Sequence, residues 1–493
     1  MLLPAVLLWV LATASVAAGA KPGSSVVNVA AATTSTKGGL DARKVIVAKA
    51  AATVATTKNV GATVATGLIP ESLRGPACIL GGALAHLAFG SVYCWGNFQS
   101  YSPLNLRFFD GKEHPGAQPD ASMVMPACFL GQCFAMPCGP LLMQRVGARN
   151  TLLLGTYIMA AGVFGASYVT SLLPFCVLYG VIFGAGVGLA YTSPMIAGWA
   201  WMPKAKGLVS GAILTGFGAG GYLFNIVGSA IANPKKLNPV GGKFPAEVYA
   251  SFPTLLRTLA AIYATLGTAG ALLISEPPKP STTAAKKAKP VEVPGVAVGT
   301  AVRSRQFWTM WLMIIASASA GLNVASMFKQ FAATQPALAG DAYQVTVGAM
   351  GTLFNGVGRL FWGSLSDKIG FKASFTILTI VQAAVQLLYN QSGGSKPTFV
   401  VANCVAWFCL AGTFAMMPPA IQRMFGPKYG ALIYGLVYSA FGVASVGSTF
   451  LSKALVASFG WEQVFKVLAA VSVLATVLTS TLTPLAALPS STV

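Results

Sequence analysis

Acidic residues are scarce in this chain. Its 493 residues include 11 Asp and Glu, 32 Lys and Arg, and only two histidines. So thin a set of carboxylates and imidazoles leaves no acid pair and no His-backed metal cluster to assemble. The eight cysteines fall almost all within apolar runs, in no metal-ligand spacing. No enzyme, cofactor or metal is therefore expected. Charge of either sign is sparse as well: charged residues make up 9% of the chain against 55% hydrophobic, with mean hydropathy +0.68, which excludes a soluble globular protein. The net charge of +21 does not indicate a nucleic-acid partner, because the Lys and Arg cluster between apolar runs.

Long apolar runs fill the remainder. From Gly75 onward there are twelve of them, each of about 20 residues, the length a hydrocarbon core of about 30 Å demands. Each is expected to be a helix, since in lipid only helices and closed barrels satisfy every backbone group and these runs are too long for barrel strands. The longest polar interruption, 276–306, is rich in Pro, Ala and Lys and divides the runs six and six. The expected organisation is a leader or disordered segment over 1–75, a six-helix half over 76–275, a linker over 276–306, a second half over 307–482 and a tail over 483–493. Loops on the linker side hold fourteen Lys and Arg and the opposite loops seven, which places both chain ends in the cytosol.

Residues 1–20 resemble a signal peptide without a leading basic residue, and 21–74 are acid-poor and rich in Ala, Val, Thr and Lys. That order suits a two-part plastid leader, and an uncleaved flexible tail accounts for it equally. A plasma membrane and a plastid envelope both remain open.

One run carries a lone arginine, Arg359. A guanidinium at membrane depth costs about 2.5–3.5 kcal/mol on insertion scales, so Arg359 is expected to face protein or a water-filled path. Asn355 lies four residues earlier on the same helix face, with Thr352 a turn further. His86 is the only histidine within a run. Asn225, Asn323, Gln132, Gln382 and Gln386 read as polar groups that join helices. Arg257 and Lys329 sit near run ends, where snorkelling accounts for them. Glycine-rich stretches at 184–188 and 216–221 follow no strand, so close helix packing explains them better than nucleotide binding.

The turn after Arg359 reads Gly363, Leu365, Asp367, Lys368, Gly370 and Lys372. It resembles the G-x-L-x-D-[RK]-x-G-x-[RK] signature of the major facilitator superfamily, which lies in the loops joining helices 2 to 3 and 8 to 9. A degenerate first copy ends in Arg145, Gly147 and Arg149, with Pro140 in place of the first Gly and Gln144 in place of the Asp. Narrower still, the stretches 184–194, 201–211, 90–95 and 434–444 are similar to the oxalate/formate antiporter family, a relative of the monocarboxylate transporters. That resemblance implies an all-α fold of twelve transmembrane helices in two halves, with a substrate path between them and alternating access by rocking.

It also implies that Arg359 faces a substrate carboxylate, with Tyr93, Trp95, Tyr191 and Tyr438 at pocket positions. Core packing alone accounts equally well for each aromatic taken singly. Two departures stand out: Asn355 replaces the Asp of the monocarboxylate transporters, and Phe441 replaces a second cation, the Lys of the oxalate/formate branch. The expectation is a monomeric secondary transporter of small organic anions, most plausibly monocarboxylates of the formate, lactate or pyruvate type, working as an exchanger or uniporter. A proton symporter using His86, and a sensor or scaffold with a transporter fold, are the alternatives.

Overall fold

The computed structural model describes residues 69–112, 119–237, 239, 243–277 and 295–483. Most of the expected leader, most of the linker and nearly all of the tail lie outside the described residues.

Among the described residues, eight helices are long and apolar enough to cross a bilayer. A ninth is added if the bent pair Asp120–Ala135 and Cys138–Ala166 counts as one span. Two of these helices are continuous only in outline. Cys138–Ala166 is broken at Gly147 (φ 82°), and Ser439–Thr481 is broken at Gly460 (φ 78°), left-handed positions that glycine takes without a Cβ clash. Divided there, the chain forms α1 (Glu71–Tyr101), α2 (120–146), α3 (148–166), α4 (Leu172–Trp201), α5 (Lys206–Ala232), α6 (Ala246–Leu273), α7 (Arg305–Ala333), α8 (Asp341–Ile369), α9 (Phe371–Ser392), α10 (Lys396–Phe425), α11 (430–459) and α12 (461–481). The described residues thus form twelve helices, and the chain is a multi-pass helical membrane protein. Helix α8 falls short of the apolar character of the others, because Asn355, Arg359 and its glycines interrupt it.

Local signals set several ends. The Ser304 hydroxyl accepts a hydrogen bond from the Phe307 amide at 3.2 Å and caps α7, and Ser395 does the same for α10 from Thr398 at 3.4 Å. Helix α1 starts at Glu71, inside the stretch the sequence assigns to the leader. Near the end of the linker, Val298–Ala301 form one helical turn, and the Val296 amide donates to the Phe425 carbonyl at 2.8 Å.

Helices α5 and α8 pack with almost no side chain between them. A Cβ on Gly218 would lie 2.1 Å from the Gly356 nitrogen, and one on Gly207 would lie 2.5 Å from the Gly363 carbonyl oxygen. That approach brings the α5 backbone onto the turn of α8 that carries Arg359: a Cβ on Gly211 would meet the Arg359 carbonyl at 2.7 Å.

Candidate functional site

Arg359 is wholly buried, and groups from both sets of six helices surround it. Its Nε donates to Asn355 Oδ1 at 3.0 Å, and Asn355 Nδ2 donates to the Trp407 carbonyl of α10 at 3.0 Å. Asn355 thus anchors the guanidinium to α10 and occupies its Nε edge. Nη2 donates to the Tyr93 hydroxyl of α1 at 3.3 Å. The guanidinium carbon lies 4.6 Å from the Phe217 ring centroid (α5) and 4.8 Å from that of Phe414 (α10). Among the described residues, Nη1 has no hydrogen-bond partner. The available edge therefore runs along Nη1 and Nη2, the geometry that receives a carboxylate through two parallel hydrogen bonds.

Near that edge lie the buried hydroxyls of Tyr191 and Tyr434, which interact with each other, Tyr191 also with Arg359, and the buried His86 imidazole, whereas Trp407 Nε1 lies beside Gly351 of α8. Tyr191 (α4) and Tyr434 (α11) interact electrostatically with Arg359. Trp407 packs edge-on to Tyr93 at 5.0 Å. Tyr438 stands 5.8 Å from Tyr191 and donates to Gln132 Oε1 of α2 at 2.7 Å, a bond between the two sets of helices. Phe441 stacks flat on Phe414 at 4.2 Å, one ring removed from the guanidinium. The His86 Nδ1–H donates to the Gly82 carbonyl at 2.8 Å, and the imidazole packs edge-on to the Tyr191 ring with centroids 5.1 Å apart.

The structure thus gathers Arg359, Asn355, Tyr93, Tyr191, Tyr438, Phe441 and His86 in one buried region, and it places Trp95 elsewhere. Trp95 Nε1 donates to the Ala121 carbonyl at 2.7 Å, and its ring packs on Phe175 and Tyr179 of α4. Sequence reasoning missed Phe217, Phe414 and Trp407, and it did not single out Tyr434. Tyr434 had a signal, being one helical turn from Tyr438 on the same face, whereas the other three are aromatics in apolar helices with nothing to mark them. Lys329 does not turn outward as a snorkelling residue would, for its Nζ donates to Asn97 Oδ1 of α1 at 3.0 Å. Arg257 donates to Ser167 Oγ at 3.2 Å and lies over the Tyr168 ring.

The motif residues, which the sequence assigns to a polar turn, lie instead in the last turns of α8 and the start of α9 with only Gly370 between them, and form a second cluster at one end of the bundle. Asp367 Oδ2 accepts from the Leu208 amide at 2.9 Å, capping α5, and Oδ1 accepts from Arg423 of α10. Gly363 permits the close contact with Gly207 already described, and Gly370 takes φ 86° to turn α8 into α9. Lys372 donates to the Ser480 carbonyl at 3.1 Å, and Lys368 is exposed. In the first copy, Gly147 makes the corresponding turn, Arg149 donates to the Leu272 and Ile274 carbonyls, and Arg145 is exposed.

A sequence model of the Major Facilitator Superfamily matches residues 84–354 and 324–492. The chain is 28% identical over 463 residues to apicoplast pyruvate carrier 1 of Toxoplasma gondii, covering 79% of this chain and 85% of that one. It is 27% identical over 355 residues to the oxalate:formate antiporter of Oxalobacter formigenes, covering 72% and 80%. Among solved structures it is similar to the E. coli fucose:proton symporter, with TM-score 0.59 and 14% identity over 84% of this chain and 99% of that one. It is also similar to a proton:xylose symporter, with TM-score 0.61 and 15% identity over 84% and 97%. At those identities the two structures bear on the fold alone.

Proposed function

The chain belongs to the major facilitator superfamily, and from that premise we propose that it moves small monocarboxylates of the formate, lactate or pyruvate type by alternating access, as an exchanger or uniporter. The observation that carries this reading is the buried Arg359, held at Nε by Asn355, with Nη1 lacking a hydrogen-bond partner among the described residues and the Tyr191 hydroxyl beside it. A carboxylate on that edge neutralises the guanidinium, and the Tyr191 and Tyr434 hydroxyls are hydrogen-bond donors for a neighbouring oxo or hydroxyl oxygen. The Phe414–Phe441 stack offers an apolar wall to a methyl group. Because Arg359 is fully buried, substrate reaches it only when the helices part; the Asp367–Leu208 bond between α8 and α5 is the contact to break at that end, Asp367–Arg423 holds α8 to α10 within one half, and Tyr438–Gln132 couples the motion across the middle.

The count of fixed cations sets the substrate's charge. A monoanion balances Arg359. A dianion leaves one negative charge uncompensated in a poorly hydrated site, a penalty of several kcal/mol, so monocarboxylates should outcompete oxalate by on the order of a hundredfold. Uptake of a carboxylate panel into liposomes containing the purified protein tests this. Phe441→Lys, which sets a second cation behind Phe414, shifts preference toward oxalate. Oxalate competing as well as lactate in the unmodified protein would mean that a second basic group reaches the site.

A second reading, proton symport, draws on the buried His86 beside Tyr191. The acid-poor composition favours the first: no carboxylate joins the groups described around Arg359, and Asn355 occupies the position of the family Asp. Exchange is therefore expected to persist when a pH gradient is collapsed and to survive His86→Ala. Uptake that disappears in both tests, with the variant still in the membrane, would assign His86 to coupling.

The Toxoplasma relative, an apicoplast carrier by name, supports a plastid envelope over a plasma membrane, and the acid-poor segment 1–75 agrees with it. A full-length fluorescent fusion collecting at the plasma membrane would contradict that placement. The excess of Lys and Arg on the Asp367 side supports a cytosolic position for that end and for both termini.

A further inference from the structure

The two rings beside Arg359 come from different sets of helices. Phe414 lies on α10, which is tied to α8 through Asn355 and the Trp407 carbonyl, so it accompanies Arg359 wherever that helix goes. Phe217 lies on α5, which packs on α8 through glycines from the other side. If transport proceeds by rocking of one set against the other, as proposed above, Phe217 covers the guanidinium only when the two sets close.

Closure is the costly step for a carrier returning without substrate, because it buries a guanidinium with no anion to balance it. Aromatic faces are electron-rich, and two of them against one guanidinium supply from within the protein part of what a carboxylate supplies. We propose that the Phe217–Phe414 clamp stabilises the closed carrier when Arg359 holds no anion, and so permits net monocarboxylate movement alongside exchange. This rests on the transport reading. A bound carboxylate already neutralises Arg359, so the rings contribute less to closure of the loaded carrier. The clamp thus acts mainly on the return step that net transport needs and exchange omits.

The experiment compares pyruvate efflux from liposomes into pyruvate-free buffer with efflux into buffer containing pyruvate. In Phe217→Leu and in Phe414→Leu the ratio of exchange to net efflux is expected to rise about three- to thirtyfold over the unmodified protein, the range that one cation–π contact spans. Both rings also pack on other aromatics, Phe217 on Tyr93 and Phe414 on Phe441, so the shape must be controlled. Phe217→Tyr keeps the ring and the wild-type ratio. A polyfluorinated phenylalanine incorporated at position 217 keeps the shape but withdraws charge from the ring face, and it should raise the ratio as leucine does. An unchanged ratio in the fluorinated protein, or net and exchange efflux falling in proportion in the leucine variants, overturns the proposal. Absence of pyruvate movement in the unmodified protein overturns the transport reading and the clamp with it.

Discussion

Replacing Arg359 by Gln should reduce monocarboxylate uptake by on the order of a hundredfold or more while the protein still inserts and folds. The loss follows from removal of the one charge that balances the substrate: a carboxylate left buried without its partner costs about 3–5 kcal/mol, and each 1.4 kcal/mol is tenfold in affinity. Folding is spared because two effects of similar size oppose each other. The variant loses the bonds to Asn355 and Tyr93 and the contacts with Phe217 and Phe414. It also no longer carries a guanidinium at membrane depth, worth about 2.5–3.5 kcal/mol on insertion scales. The replacing glutamine is uncharged and shorter, and it leaves Asn355 on the Trp407 carbonyl. Uptake per milligram of reconstituted protein, alongside its thermal unfolding in detergent, checks both halves. Carboxylate uptake retained in Arg359→Gln would assign the residue to structure instead.

Gly218→Ala should damage both folding and transport by a different route. In an exposed helix interior this change ordinarily stabilises by about 0.5–1 kcal/mol, since alanine loses less backbone freedom on folding. Here the new methyl would stand 2.1 Å from the Gly356 nitrogen, 2.3 Å from its Cα and 2.7 Å from the Thr352 carbonyl oxygen. All three are backbone atoms, so no rotamer change relieves the clash and α5 must move off α8. Overpacking of this kind costs about 1–3 kcal/mol even where side chains can yield, so the contact outweighs the propensity. Asn355 and Arg359 lie on the α8 turns directly beyond Gly356, and Phe217 is the neighbour of Gly218 on α5. The expected result is a lowered unfolding temperature together with uptake reduced tenfold or more. An alanine variant with wild-type unfolding and wild-type uptake would show that α5 and α8 do not approach as closely as described.

These two residues also show what could be read before the fold was known. Arg359 was legible because a charge in an apolar run has few tolerable environments, and Asn355 because helical spacing places it on the same face. The stretch from Gly363 to Lys372 was legible as a motif, though it is the end of α8 and the start of α9 rather than a polar turn, and the Asp367 bond to the α5 amide gives its acidic position a physical role. The twelve spans were legible from length alone. Their number emerges in the structure only after α8 is counted and the breaks at Gly147 and Gly460 are respected, because at each a single left-handed glycine joins two helices without an intervening non-helical loop.

The walls of the site were less legible. Phe217, Phe414 and Trp407 sit in helices apolar on every side, where no periodicity separates a ring turned to the centre from one turned to lipid. Trp95 shows the reverse difficulty: it stands two residues from Tyr93, and on an α-helix that spacing places side chains on different faces. A 3₁₀ turn at Gly90–Cys94 alters the local geometry further, and Trp95 joins α4 and the Ala121 carbonyl while Tyr93 reaches Arg359. Lys329 was read from its position near a helix end, and its partner on α1 is 232 residues away in the chain.

The measurement that bears most directly on the central claim is counterflow. Liposomes containing the purified protein are loaded with unlabelled pyruvate and diluted into a trace of labelled pyruvate. The account predicts transient accumulation of label that requires the protein, is abolished by excess external lactate, and is scarcely affected by the same concentration of oxalate. No accumulation with pyruvate, lactate or formate, or accumulation that oxalate suppresses as readily as lactate, would contradict it.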